Sequence, residues 1–311
     1  MPRAAIGIDL GGTAIKGGCF AADGTELAAQ TVPTPQPSEP RAVTAAIARL
    51  VQALEQALPA QAGVVALGVG TPGPSDRAGR VARVAINLAG WREVPLADWL
   101  EAQTGLPTVV ANDANCAGLG EAWLGAAREC RDSLLLTLGT GVGGAIILGG
   151  ELFVGREGAA GELGLIGLDP HGPHCNSGNA GSLEQHLSIG AIRRATGCEP
   201  AELGQRAAAG DRAALAFWQD YGRWLGMGLT SLIYVLTPEV IVIGGGVSAS
   251  AAFFLPTAIA ELERRTLPSS RAGLQVRVAA LGNRAGMIGA ARLAWQTAAS
   301  AGPEGSTATA L

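Results

Sequence analysis

Three glycine clusters and a few acids carry residue types suited to chemistry. In the first cluster, Asp9 and Leu10 precede Gly11, Gly12 and Thr13. Glycines remove side chains where a backbone must approach an anion, and the threonine hydroxyl adds a donor. Asp9, just ahead of the turn, suits Mg2+, which keeps most of its water shell and takes few carboxylates. The same residues also fit an ordinary hairpin turn with a capping aspartate, and taken alone they do not separate the two. The second cluster, Gly139-Thr140-Gly141-Val142-Gly143-Gly144, is equally open. It lacks the lysine of a P-loop. Neither turn leads from strand to helix with the spacing of a dinucleotide fold.

The third cluster, Gly244-Gly245-Gly246 with Val247 and Ser248, follows PEVIVI and opens a helix, so its backbone fits flat against a nucleobase or ribose. A plain strand-to-helix turn is the simpler alternative. Asn112 and Asp113 end the run TVVAND, where loops of α/β sheets gather ligand-binding groups. An aspartate there also suits the cap of the following helix, ANCAGLGEAWLG. Its chemical reading, a base opposite a transferring phosphate, depends on the glycine turns being phosphate cradles.

The elements that must position these groups read as an α/β chain. AAIGIDL, VVALGVG, PTVVAND, SLLLTLG, GGAIIL, EVIVIGG and LQVRVAAL are the expected strands. Val43, Ile47, Leu50, Val51, Leu54 and Leu58 recur at helical steps after a proline-rich connector, VPTPQPSEP, expected to be non-helical. A second helix is expected over about 213–236, with Leu225, Leu229, Leu232 and Ile233 on one side and Pro238 as its stop. IGIDLGGTAIKGGCF and LLLTLGTGVGGAIIL both read as strand, glycine turn and return strand, which suggests a duplicated half. That is the architecture in which two domains clasp a nucleotide.

With 311 residues, two domains and a cleft are the natural expectation. A formal net charge of -4 offers no basic field for nucleic acid. No signal peptide and no run of about 18 apolar residues is visible, so a cytoplasmic protein without a membrane partner is expected. Five scattered cysteines read as reduced thiols. Lys16 is the only lysine and reads as compositional skew. The tail TAASAGPEGSTATAL is expected to be disordered.

The ordered set IGIDLGGTAIKGG, GVGTPGP, NLAGW, VVANDANCAGLGE, LGTGVGGAIILGGELFVG, GELG, CNSGNAGSLE and VIVIGGGVS resembles the ROK family of bacterial sugar kinases and sugar-responsive repressors, especially its glucokinase members. The resemblance covers the first strand to about Met287. It implies a two-domain actin-like ATPase (ribonuclease H-like) fold with an interdomain cleft that closes on sugar, a hexose substrate, and ATP with Mg2+. The smaller domain would span 1–111 plus about 285–298, the larger 112–284, and 299–311 would be the tail. It makes Asp113 the general base and Asn112 its sugar-binding neighbour. Glu162 and Glu184 match carboxylates that hold sugar hydroxyls, and Gly73 and Asn87 lie where the smaller domain touches sugar. Asp9 would hold Mg2+ through water, and Gly11, Gly12, Thr13, Gly139, Thr140, Gly141, Gly244, Gly245 and Gly246 would contact the nucleotide.

One departure stands out. The family's structural zinc uses a histidine and three cysteines, but here Leu165, Ser177 and Ser182 occupy three of the four positions and only Cys175 remains. With His171 and His174 nearby, at most three donors are available, fewer than structural zinc requires, so no zinc is expected. The implied reaction is phosphorylation of glucose at its 6-hydroxyl. Fructose, mannose, N-acetylglucosamine and N-acetylmannosamine stay open as substrates, and polyphosphate as donor. A sugar-sensing repressor would carry a helix-turn-helix segment ahead of the first strand, for which little room is expected, and a non-catalytic sugar binder is the remaining alternative. The resemblance also favours a homodimer or homotetramer.

Overall fold

The computed structural model describes residues 3–59, 61–85, 88–175 and 177–300. Asn87 and the tail beyond 300 lie outside the described residues. Two units are present, one from the described residues of 1–128, 152–160 and 283–311, the other from 129–151 and 161–282.

The first unit begins with β1 (Arg3–Leu10), β2 (Ala14–Ala21) and β3 (Glu26–Pro33), then α1 (Pro40–Gln56) and β4 (Gly63–Thr71). It continues through β5 (Ala82–Val84), β6 (Arg92–Val94), α2 (Leu96–Thr104), β7 (Thr108–Asn112) and α3 (Asp113–Leu124). The second unit holds β8 (Ser133–Leu138), β9 (Val142–Leu148), α4 (Leu183–Leu187), α5 (Ile189–Thr196) and α6 (Pro200–Ala208), and the short edge strand β10 (Glu151–Leu152) lies where the chain passes from the second unit to the first. It adds α7 (Arg212–Leu236), β11 (Val240–Gly244), α8 (Ala251–Arg265) and β12 (Gln275–Val278), after which α9 (Ala285–Ser300) returns to the first unit.

The duplication suggested by the two hairpins extends to both sheets. Their strand orders are β3-β2-β1-β4-β7 and β10-β9-β8-β11-β12. In each, the opening hairpin is antiparallel and the two strands on its other side run parallel to the first.

On one face of the first sheet Ile6, Ile8 and Leu10 meet Val43, Ile47, Leu50 and Leu54 of α1. On the other face α9 lies against bare backbone. A Cβ at Gly7 would stand 2.0 Å from the Met287 carbonyl, so only glycine admits this approach. Helix α3 packs on α9 just as closely, with a Cβ at Gly289 falling 1.6 Å from the Cys116 carbonyl. That packing places α3 in the first unit, whereas the sequence reading opened the larger domain at residue 112.

In the second unit Leu134, Leu136 and Leu138 of β8 meet Leu225, Leu229 and Ile233 of α7. Trp218, Tyr221 and Phe254 form an aromatic knot with centroids 5.0–5.7 Å apart. The Tyr221 hydroxyl donates to the Leu187 carbonyl at 2.8 Å and so ties α4 to α7.

One local expectation needs correction. Pro40 closes the connector VPTPQPSEP yet opens α1, because the first helical position has no use for the N–H that proline lacks. Helix α7 stops at Leu236, as expected ahead of Pro238, and Thr237 closes it by turning left-handed at φ 41°. Strand β3 escaped notice because it is an edge strand exposed on both faces and has no apolar alternation. Among the described residues no helix is long and apolar enough to cross a membrane.

Candidate active site

The first unit brings Asp9, the Gly11–Thr13 turn, Gly73, Asn112 and Asp113 to the same ends of β1, β4 and β7, since Asp9 pairs with Gly70 and Thr71 with Asn112. Asn112 caps α3, its Oδ1 accepting from the N–H groups of Ala114 at 2.9 Å and Asn115 at 3.2 Å. Its Nδ2 donates to the Gly73 carbonyl at 3.1 Å. The cap is therefore Asn112, not Asp113. Gly73 has φ 78°, and a Cβ there would meet the Val84 carbonyl at 1.9 Å, so the fold itself demands glycine.

Asp113 remains accessible to solvent, yet the surrounding protein strips water from its carboxyl and pushes it up to about 6. The negative charge of Asp9 adds to this rise, while the Ala114 N–H, 2.8 Å away, opposes it. Burial likewise raises Asp9, and Lys16 partly reverses that. Lys16 Nζ lies 3.3 Å from Asp9 Oδ2 and donates to the Asn283 carbonyl at 3.1 Å. The sequence reading saw in Lys16 only a compositional oddity. Its place opposite Asp9 in the β1–β2 ladder was the available signal.

The Gly11–Thr13 turn has its carbonyls tied back from one side. Thr34 Oγ1 donates to Gly11 O at 2.7 Å, Gln36 Nε2 to Gly12 O at 3.1 Å, and Thr34 N to Thr13 O at 3.0 Å. Gly11 N is used internally, to Ala14 O at 3.0 Å. Among the described residues the N–H groups of Gly12 and Thr13 are left as available donors, and a Cβ at Gly12 would meet open space. Nothing in the packing requires glycine there. Committed carbonyls and spare N–H groups suit a turn to receiving an anion. Thr34 and Gln36, which orient it, sit in the proline-rich connector and were not foreseen.

The second hairpin repeats this construction. Gly139 N donates to Gly141 O at 2.9 Å and Ile189 N to Gly139 O at 2.8 Å, which leaves Thr140 at the exposed tip. Val142 N donates to Glu184 Oε2 at 3.0 Å, and a Cβ at Gly141 would stand 2.6 Å from that oxygen. Burial pushes the Glu162 carboxyl up, and the nearby charge of Glu184 pushes it further. Glu162 and Glu184 are thus brought together beside the hairpin.

Gly244, Gly245 and Gly246 join the same hairpin from β11. Gly245 has φ 82°, and a Cβ on it would fall 2.3 Å from the Leu138 carbonyl. The flat approach expected at Gly245 is therefore made to Leu138. Gly246 faces open space, so the room for a ligand is at Gly246.

In the segment around Cys175, the loop is closed by backbone bonds. Cys175 N donates to Asn179 O at 2.8 Å and Gly181 N to Pro173 O at 2.8 Å. Hydrogen bonds from Ser177 hold the Cys175 thiol below its ordinary range.

Mg2+ fits the first unit's residues. Asp9 offers one carboxylate oxygen beyond the one Lys16 takes, and an ion that keeps most of its water shell asks for few protein carboxylates.

Two α/β units with duplicated sheets, each opening on a glycine hairpin, define the two-domain actin-like ATPase fold. The chain belongs to the ROK family, which matches residues 5–297. It is 36% identical over 309 residues to a glucokinase of Halalkalibacterium halodurans, covering 91% of this chain and 92% of that protein. Its fold is similar to the ROK hexokinase of Thermus thermophilus, with a TM-score of 0.86, 36% identity, and 96% and 99% of the two chains covered. A ROK family glucokinase from Streptomyces griseus, solved with glucose and AMPPNP, gives a TM-score of 0.77 at 34% identity over 94% and 99% of the two chains.

Proposed function

We propose that the chain is an ATP-dependent hexose kinase that phosphorylates glucose at its 6-hydroxyl, with Asp113 as general base. The observation that carries this reading is Asp113 itself. It is a solvent-accessible carboxyl pushed up to about 6, next to the capped start of α3 and on the same strand ends as the Gly11–Thr13 cradle. A base whose pKa lies near neutral can take a hydroxyl proton as phosphoryl transfer proceeds and remain ionised at working pH. Relatedness to glucokinases supports a hexose, and the glucose and AMPPNP bound to the Streptomyces griseus relative support this sugar and ATP.

In this reading Asn112 fixes the start of α3 and thereby the direction of Asp113. Glu162 and Glu184 accept hydrogen bonds from sugar hydroxyls, a match for a ligand rich in donors. The N–H groups of Gly12 and Thr13 and the open backbone at Gly246 receive the nucleotide. Mg2+ bound near Asp9 would supply charge neutralisation to the phosphates.

A coupled ADP-release assay over a panel of hexoses and aminosugars, with ATP and then polyphosphate as donor, tests the reading. Glucose with ATP should give the highest kcat/KM. Sugar binding without ADP release from any panel member would make the protein a non-catalytic sugar binder instead.

A further inference from the structure

We propose that Thr34, Gln36 and Ser38 form a positioning strap that holds the sugar side of the first unit, the Gly73–Asn112 edge beside Asp113, in register with the Gly11–Thr13 turn. A disturbance on either side is then felt on the other. The inference rests on the kinase reading above. At one end of the strap Thr34 Oγ1 and Gln36 Nε2 hold the carbonyls of Gly11 and Gly12 at 2.7 and 3.1 Å. At the other end Ser38 Oγ accepts from Ala89 N at 3.1 Å, and Ser38 O accepts from Trp91 Nε1 at 2.8 Å. Thr34 and Ser38 are 4% and 5% exposed, so both ends are bedded in the unit. Pro35 and Pro37 alternate with the three holding residues and fix φ at about −65°, which stiffens the segment.

From Trp91 the contacts continue without a break to the cap of α3. Trp91 O accepts from Ala85 N at 3.4 Å. The carbonyl of the preceding residue, Val84, stands 1.9 Å from where a Cβ on Gly73 would be, so the two backbones touch. Gly73 O in turn accepts from Asn112 Nδ2 at 3.1 Å, and Asn112 caps the helix that Asp113 opens. Such a contiguous set of packed and hydrogen-bonded groups is the physical means by which two sites can be coupled. A competing role for the connector is to anchor the entry of α1, since Ser38 lies two residues ahead of Pro40. Gln36 separates the two roles, because its side chain bonds the turn and leaves the α1 entry alone.

The test titrates glucose and MgADP separately, by calorimetry, into full-length wild type, Gln36→Ala, Ser38→Ala and Ser38→Thr. Gln36→Ala disturbs only the turn, yet it should weaken glucose as well as MgADP. Ser38→Ala disturbs only the sugar side, yet it should weaken MgADP as well as glucose. Each Kd should rise by about 2- to 10-fold, the range for losing a hydrogen bond between uncharged groups. Ser38→Thr keeps the hydroxyl and should bind both ligands within about twofold of wild type. A variant that is merely part-unfolded would show a lower binding stoichiometry with Kd unchanged, which a strap does not predict. An unchanged glucose Kd in Gln36→Ala, or an unchanged MgADP Kd in Ser38→Ala, overturns the proposal and leaves an anchor for α1. Wild type that binds only one of the two ligands, or neither, overturns the kinase reading itself, and this inference with it.

Discussion

Asp9 and Asp113 stand two strands apart in one sheet, at the matching ends of β1 and β7, and the charge of Asp9 raises the carboxyl of Asp113. With strands spaced roughly 4.8 Å, the backbones lie about 10 Å apart. The two acids are therefore coupled through space without sharing a proton.

The raised carboxyl sets a pH dependence. Asp113 is deprotonated above about 6 and protonated below it, so kcat/KM for glucose should fall as pH drops through about 6. The acid limb should have unit slope. A flat profile down to pH 5 would remove Asp113 as the base.

Asp113→Asn should lower kcat by about 10²- to 10⁴-fold. The folded-state pKa lies above the ordinary 3.8, so ionised Asp113 opposes folding above about pH 6, and that opposition fades as pH falls toward the ordinary value. The melting temperature of Asp113→Asn at pH 7.5 should accordingly not fall below that of wild type. Any gain is small, because the side chain is open to water. Near-native turnover would displace Asp113 from its role.

Asn112→Ala should cost about 0.5–2 kcal/mol, through loss of the α3 cap. Asn112→Ser keeps a capping oxygen but is too short to hold the Gly73 carbonyl. It should melt close to wild type while raising the KM for glucose. An unchanged KM in Asn112→Ser would make Asn112 a cap and nothing more.

Gly245→Val places a branched side chain at φ 82° against the Leu138 backbone. Strain of about 1–3 kcal/mol plus the clash should lower stability and disturb both substrates alike. Gly246→Ala meets open space, so its stability should stay within about 0.5 kcal/mol of wild type. Its KM for ATP should rise while that for glucose holds. Equal changes in both KM values for Gly246→Ala would place the nucleotide elsewhere.

With Leu165, Ser177 and Ser182 at three ligand positions, purified protein should contain far less than one zinc per chain by elemental analysis. Chelation followed by restoration of Mg2+ should leave the melting temperature unchanged, because backbone bonds such as Gly178 N to Cys175 O at 3.0 Å close the loop. Stoichiometric zinc held by His171 or His174 would overturn this.

The sequence by itself determined the buried strands of both sheets, the two glycine hairpins and their duplication, though not the exposed edge strand β3, because short apolar runs bounded by glycine can be read from local spacing. It also marked Asp9, Asn112 and Asp113 as candidates, since each sits at a strand end. What each residue does there was decided by partners distant in the chain. Asn112, not Asp113, is the cap, through its contacts to Ala114, Asn115 and Gly73. Lys16 acquires meaning only from Asn283, 267 residues away, and from the ladder that sets it against Asp9. Glycines look alike in a string, yet Gly7, Gly73 and Gly245 are spent on packing while Gly12 and Gly246 face open space. That division depends on which backbone passes within reach, a property of the tertiary fold and not of neighbouring residues.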